Sequence, residues 1–181
     1  METIVLKFGG TSVGSTDRIS AVADLIQAAS KEAFPVVVVS AMSGETNRLI
    51  DLAQSFGSEP NKREFDALVS TGETVSASLV AIALNHLGLK KAKSLSAAQF
   101  GMKTTSHFSR AKILDMNNDI LFQTIEEGYI PIITGFQGIT ADGDTTTMGR
   151  GGSDTTAVAI AASIKAKRCD IYTDVDGIYT T

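Results

Sequence analysis

Residues 35–40 read Pro35-Val36-Val37-Val38-Val39-Ser40, with consecutive valines and no polar residue between them. β-Branched side chains of this kind lose freedom in a helix and pack well on a pleated strand. The run does not alternate, so neither face of the strand is meant for water. Such a strand belongs inside a parallel sheet covered on both faces. Ile4-Val5-Leu6-Lys7-Phe8 and Tyr129-Ile130-Pro131-Ile132-Ile133-Thr134 read the same way. Cys169-Asp170-Ile171-Tyr172-Thr173 is a last strand, and Lys93-Ser94-Leu95 a short one.

Helical spacing fills the gaps. Ser15-Thr16-Asp17 is a cap candidate, followed by Ile19, Val22, Ala23 and Ile26 at helical intervals up to about Ala33. Residues 47–56, 63–87, 118–127 and 154–166 show similar periodicity, the second stretch interrupted near Thr71-Gly72. Gly57-Ser58-Glu59-Pro60-Asn61 is a turn, since helical pattern resumes at once. Ser96 to Ser109 is polar and ambiguous, with a hairpin one option. Gly135 to Gly152, rich in Gly, Thr and Asp, reads as a long functional loop. Strands alternating with helices predict an α/β chain with a mostly parallel central sheet.

Composition removes several classes of function. The chain has 181 residues, a net charge of −4 and no long block of like charge. It is therefore a poor candidate for general nucleic-acid binding, which needs a basic face to neutralise phosphates. Cys169 is the single cysteine, which excludes an internal disulfide framework, and His86 and His107 lack metal-ligand spacing. No dedicated metal site is expected. The N-terminus has no secretory signal pattern, and no apolar run approaches a membrane span of roughly 20 residues. A cytoplasmic protein with no membrane partner is the expectation.

Ligands of open α/β sheets bind beyond the carboxyl ends of the strands, and the glycine-bearing loops lie there. Lys7-Phe8-Gly9-Gly10 offers exposed backbone N–H groups and a point charge for phosphate. It also fits a plain strand-to-helix turn with a surface lysine. Neither the nucleotide P-loop nor the dinucleotide fingerprint follows the first strand. Gly149-Arg150-Gly151-Gly152-Ser153-Asp154 suits a loop that wraps an anion and then opens a helix. A glycine turn before a Ser-capped helix is the plainer alternative, although it gives Arg150 no purpose. Asp154 either orients Lys7 or serves its own helix dipole. Gly72 inside a helix costs about 1 kcal/mol relative to Ala and so calls for a reason. The adjacent Glu73 is a candidate for a substrate ammonium, or a solvated glutamate. Ser40 and Thr46 are by themselves ordinary loop hydroxyls.

Lys7-Phe8-Gly9-Gly10-Thr11-Ser12-Val13 resembles the opening motif of the aspartate kinases, in the amino acid kinase superfamily. Ser40-Ala41-Met42 through Thr46-Asn47, Thr71-Gly72-Glu73, Gly135-Phe136-Gln137-Gly138, Gly149 to Thr156 and Tyr172 to Tyr179 resemble further family blocks in order. The resemblance implies a three-layer αβα sandwich and transfer of the ATP γ-phosphoryl group to L-aspartate, opening the route to lysine, threonine and methionine. It implies that Lys7, Phe8, Gly9, Gly10, Thr11, Thr173, Asp174 and Tyr179 serve ATP. Ser40, Thr46, Glu73, Arg150, Gly152 and Ser153 fall on the aspartate side. Lys7 and Asp154 are the catalytic pair, and Mg²⁺ is held mostly by phosphates and water. Because the family continues beyond Tyr179-Thr180, residues 1–181 are expected to be the N-terminal portion of the catalytic domain. That portion is C-terminally incomplete and without ACT regulatory domains. A homo-oligomer is expected for the full-length form.

Overall fold

The computed structural model describes residues 2–88 and 91–174. Five strands form the central sheet: β1 (Thr3–Phe8), β2 (Phe34–Val39), β3 (Ala92–Leu95), β6 (Ile130–Thr134) and β9 (Cys169–Tyr172). Their order is β3-β6-β2-β1-β9, and every neighbouring pair is parallel. All six residues of β2 are buried, as an unbroken valine run demands.

Helices α1 (Thr16–Ala29), α2 (Glu45–Gln54), α3 (Lys62–Val69), α4 (Thr71–Leu87), α6 (Asp119–Glu126) and α7 (Gly152–Ser163) make the connections, with a single turn, α5 (Ala97–Phe100). The paths from β1 to β2 and from β2 to β3 step toward the β3 edge. Those from β3 to β6 and from β6 to β9 step back. Crossovers between parallel strands are right-handed, so α1 and α4 cover one face and α6 and α7 the other. The result is an αβα sandwich. The core gathers Ile4, Leu6, Val36, Val38, Ile132 and Ile133 from the sheet with Ile19, Ile26, Val80, Leu121 and Ile160 from the helices. Each such Val, Leu or Ile contributes roughly 1.5–3 kcal/mol on burial.

Helix limits follow local chemistry. Ser15 accepts from the Arg18 N–H and Asn61 from those of Arg63 and Glu64, which starts α1 and α3. The stretch 63–87, expected to be helical with an interruption near Thr71-Gly72, is two helices with the break at Ser70. By length and composition the stretch Lys62–Leu87 is apolar enough to cross a membrane, although no such stretch is expected from the sequence. Here its buried positions, among them Gly72, Ser76, Ala77, Val80 and Leu84, face the rest of the fold.

Two further segments depart from expectation. Gly135–Gly152 is not a continuous loop, because it contains β7 (Gln137–Ile139) and β8 (Thr145–Thr147), paired as a hairpin. Ser96 closes a capping box with Gln99 over α5 before β4 (Met102–Thr104) pairs antiparallel with β5 (Ile113–Met116). These strands form a second sheet, β5-β4-β7-β8. Its centre is hydroxylic, with Thr104 Oγ1 2.6 Å from Thr146 Oγ1. An apolar pattern could not announce it.

Gly72 has its reason in packing. A Cβ there would lie 2.8 Å from the Ala41 Cβ in the loop after β2. Gly72→Ala should therefore destabilise the protein by about 1–3 kcal/mol through overpacking, despite a helix-propensity gain of up to ~1 kcal/mol. Urea denaturation of the two proteins measures the sign.

Candidate active site

Strand direction brings the carboxyl ends of β1, β2, β6 and β9 to one edge. The loops after β1 and β2 lead to helices on one face, whereas the chain leaving β6 reaches α7 on the other. That reversal opens a crevice. It holds a cleft of about 620 Å³, lined by Lys7, Gly10, Ser40, Thr46, Glu73, Arg150, Gly152, Ser153 and Asp154 among others.

Lys7 is not a surface lysine. It is 7% exposed, and its Nζ lies 2.7 Å from Asp154 Oδ1. The pair joins the end of β1 to the first turn of α7. Of the two roles open to Asp154, orienting Lys7 is the one the geometry carries. The helix dipole assists it by favouring a carboxylate in that turn.

The Ser-capped alternative for α7 does not hold either. Its N-cap is Gly151, with φ 74°, and no side chain caps it. The positive end of α7 is therefore open toward the cleft, with Ser153 buried beside it. Gly135 permits this seating, because a Cβ there would fall 2.6 Å from Ser153 Oγ. The Arg150 side chain is exposed and, among the described residues, forms no ion pair.

Glu73 is 3% exposed, so the solvated-glutamate reading fails. Its Oε1 accepts the Ala41 N–H at 3.0 Å, and its Oε2 is buried with no hydrogen-bond partner. Burial pushes its pKa up to about 7, against the lowering effect of the Ala41 bond. Gly72 allows the close approach of α4 that lets Glu73 reach Ala41. An orphaned carboxylate oxygen inside a cleft is a place for a cation.

Of the remaining expected residues, Gly10 lines the cleft, whereas Phe8, Gly9, Thr11, Thr173 and Asp174 do not. Gly9 sits at the end of β1, its N–H donated to the Tyr172 carbonyl. Gly10 must lack a side chain, since a Cβ would be 2.8 Å from the Ala41 carbonyl oxygen. Thr11 is half-buried, and Thr173 and Asp174 are exposed and joined by a 3.2 Å hydrogen bond. Phe8 is fully buried, stacked on Tyr172 with ring centroids 4.7 Å apart, so its side chain is core and only its backbone is left to serve a ligand. Tyr179 lies outside the described residues.

Sequence reasoning missed three residues that shape the cleft. Ser109 and Thr147 line it, and both are held by the fully buried Asp66 of α3. The available signal was an aspartate one helical step from the buried Val69. Among the described residues no three His, Cys, Asp or Glu side chains gather as a metal site.

Comparison with known proteins follows the same residues. The chain matches the amino acid kinase family over residues 2–181. An aspartokinase of Helicobacter pylori is 49% identical over 179 residues, covering 98% of this chain and 44% of its own. The crystal structure of an aspartate kinase from Synechocystis superposes with a TM-score of 0.82 at 46% identity, over 97% of this chain and 29% of its own. Escherichia coli aspartokinase III in complex with aspartate and ADP gives 0.89 at 29% identity, over 99% and 51%. The chain thus spans 44% of the length of the curated relatives it matches.

The raised Glu73 pKa has a consequence for stability. The folded state holds that proton more tightly than the unfolded chain, whose glutamate titrates near 4.5. The stabilisation is complete below that value and is lost as pH rises through about 7. Glu73→Gln should remove roughly 3 kcal/mol of pH dependence between pH 5 and 8. Urea midpoints across that range check this, and parallel curves for the two proteins would contradict it.

Proposed function

Since this chain belongs to the amino acid kinase family, we propose that its cleft moves the ATP γ-phosphoryl group to the β-carboxylate of L-aspartate, giving 4-phospho-L-aspartate and ADP. The observation that carries the reading is the Lys7–Asp154 pair, set between the glycine end of β1 and the open end of α7.

A carboxylate is already nucleophilic at neutral pH, so the reaction needs no general base. One carboxylate oxygen attacks the γ-phosphorus, the bond from phosphorus to the bridging oxygen breaks, and ADP leaves with that electron pair. The difficulty is bringing two anions together and neutralising the charge that spreads over the phosphoryl oxygens. Lys7 supplies the fixed charge, held in place by Asp154. Gly9, Gly10 and Thr11 serve the donor phosphates on the β1 side, with Thr173, Asp174 and Tyr179 toward the nucleotide. Gly152 and Ser153 bring the N-terminus of α7 to the acceptor carboxylate.

The acceptor side has the charge pattern of a zwitterion. Glu73 Oε2 is an unpartnered anion site for the α-ammonium, and Arg150 offers a fork for the α-carboxylate. Ser40 and Thr46 add hydroxyls on the same wall. An N-acylated acceptor would leave Glu73 facing a neutral amide, which disfavours that branch of the family.

Mg²⁺ fits as an ion that arrives with the nucleotide, since the described residues offer no cluster of three His, Cys, Asp or Glu side chains to hold it. When bound it would screen phosphate charge, and Asp154 and Glu73 are the acidic side chains that line the cleft. The reading also carries a cytoplasmic location and a homo-oligomeric full-length protein.

Trapping the acyl phosphate with hydroxylamine tests the proposal in the protein that carries these residues. L-Aspartate should be phosphorylated, and L-glutamate and N-acetylglutamate far less. Lys7→Ala and Asp154→Ala should each lower kcat by about 10²–10³. Transfer to another acceptor in preference to aspartate would overturn the substrate, and near-normal turnover of both variants would overturn the mechanism.

A further inference from the structure

Asp66 lies on α3, outside every motif discussed above, and is 0% exposed. A carboxylate so buried must find partners for its lone pairs. It finds four. Oδ2 accepts the backbone N–H groups of Ser109 at 2.8 Å and Thr147 at 2.7 Å. Oδ1 accepts their hydroxyls at 2.9 and 3.1 Å. With every side occupied, Asp66 has no capacity left for a ligand, so its role must pass through what it holds.

Both partners border the glycine loop. Thr147 ends β8 and leads through Met148 into Gly149-Arg150. Ser109 has φ 66°, a left-handed conformation that a serine keeps only when its surroundings over-determine it. Its carbonyl oxygen lies 3.2 Å from where a Cβ of Gly149 would stand. The Ala111 N–H donates to the Thr147 carbonyl at 2.9 Å, tying the two segments together. One carboxylate thus fixes both the chain entering the Gly149–Asp154 loop and the chain against which that loop rests. Arg63 adds a second tie from α3, its Nε 2.7 Å from Asp144 Oδ1 in the β7–β8 turn, but that contact is exposed.

We propose that Asp66 is a positioning residue for the acceptor. It sets Arg150 and the Gly152-Ser153 end of α7 through Ser109 and Thr147, and contributes nothing to the donor phosphates. The proposal rests on the acceptor assignment given above for its kinetic form, and on geometry alone for its structural form.

The two forms are read separately. In the protein that carries these residues, Asp66→Ala should raise the KM for L-aspartate by about tenfold or more, with the KM for ATP changed by less than about threefold. Asp66→Asn should rescue the aspartate KM, because an amide oxygen can accept both N–H groups while its NH₂ donates to both hydroxyls. Hydrogen exchange should show Asp66→Ala losing protection at 105–111 and 147–153, with β1 and β2 unchanged. An aspartate KM left at the wild-type value, or protection lost evenly across both sheets, overturns the proposal. Should Asp66→Ala fail to fold, Thr147→Val removes one donor alone. A raised aspartate KM in that variant supports the proposal, and an unchanged one overturns it. If the wild-type protein phosphorylates no aspartate, the functional reading fails, and the exchange pattern still decides the role of Asp66.

Discussion

A lysine on an interior strand of a parallel sheet is costly to bury without a counter-charge. Lys7 occupies such a position on β1, flanked by β2 and β9, and Asp154 at 2.7 Å answers it. Meeting that demand fixes where α7 must start, and so where its open N-terminus points. The pair is not a large source of stability, because the Asp154 side chain is 47% exposed and pairs of that kind contribute about 1 kcal/mol or less. Its value is orientation. The ammonium is held at the mouth of the sheet, where it can serve an incoming anion, instead of bending away along the strand.

The walls around that ammonium depend on close backbone approach, and Ala41 is the hub. Its carbonyl oxygen occupies the space a Gly10 side chain would need, and its Cβ fills the space at Gly72. Its N–H goes to Glu73. One small residue after β2 therefore brings together the glycine end of β1, the first turn of α4 and the buried glutamate. A third approach, Gly135 against Ser153, seats α7. These glycines are steric requirements of the cleft, which gives a packing reason for so many in so few loops.

The central sheet was legible because its signal is apolar. Unbroken runs at 36–39 and 130–133 leave no other reading, and the helical spacing of Ile19, Val22 and Ile26 needs only a cap. The second sheet was illegible for the converse reason. Its strands Gln137–Ile139 and Thr145–Thr147 bury amide and hydroxyl groups, satisfied by partners far away in sequence. Gln137 donates to the Ser70 carbonyl, a contact that no local pattern encodes. The motifs located Lys7, Glu73 and Asp154 but left two meanings for each, since exposure and pairing are tertiary facts. The glycine loop placed the start of α7 to within two residues, yet suggested a serine cap where a left-handed glycine leaves the helix end open.

This division has a physical counterpart in how each side of the cleft is held. The residues assigned to the donor lie at the ends of strands packed among Val, Ile and Leu, where opening the structure means losing the core. The loop assigned to the acceptor hangs from the β7–β8 hairpin, which polar groups tie to the helices: Asp66, Gln137 and the Arg63–Asp144 pair. Hydrogen bonds contribute about 0.5–1.5 kcal/mol each in net terms, and segments held by few apolar contacts open at lower free energy than the core. Under the proposed function the donor would meet the stiff side, and the acceptor the side built from a few directional contacts, where changing one residue alters the fit without dismantling the sheet.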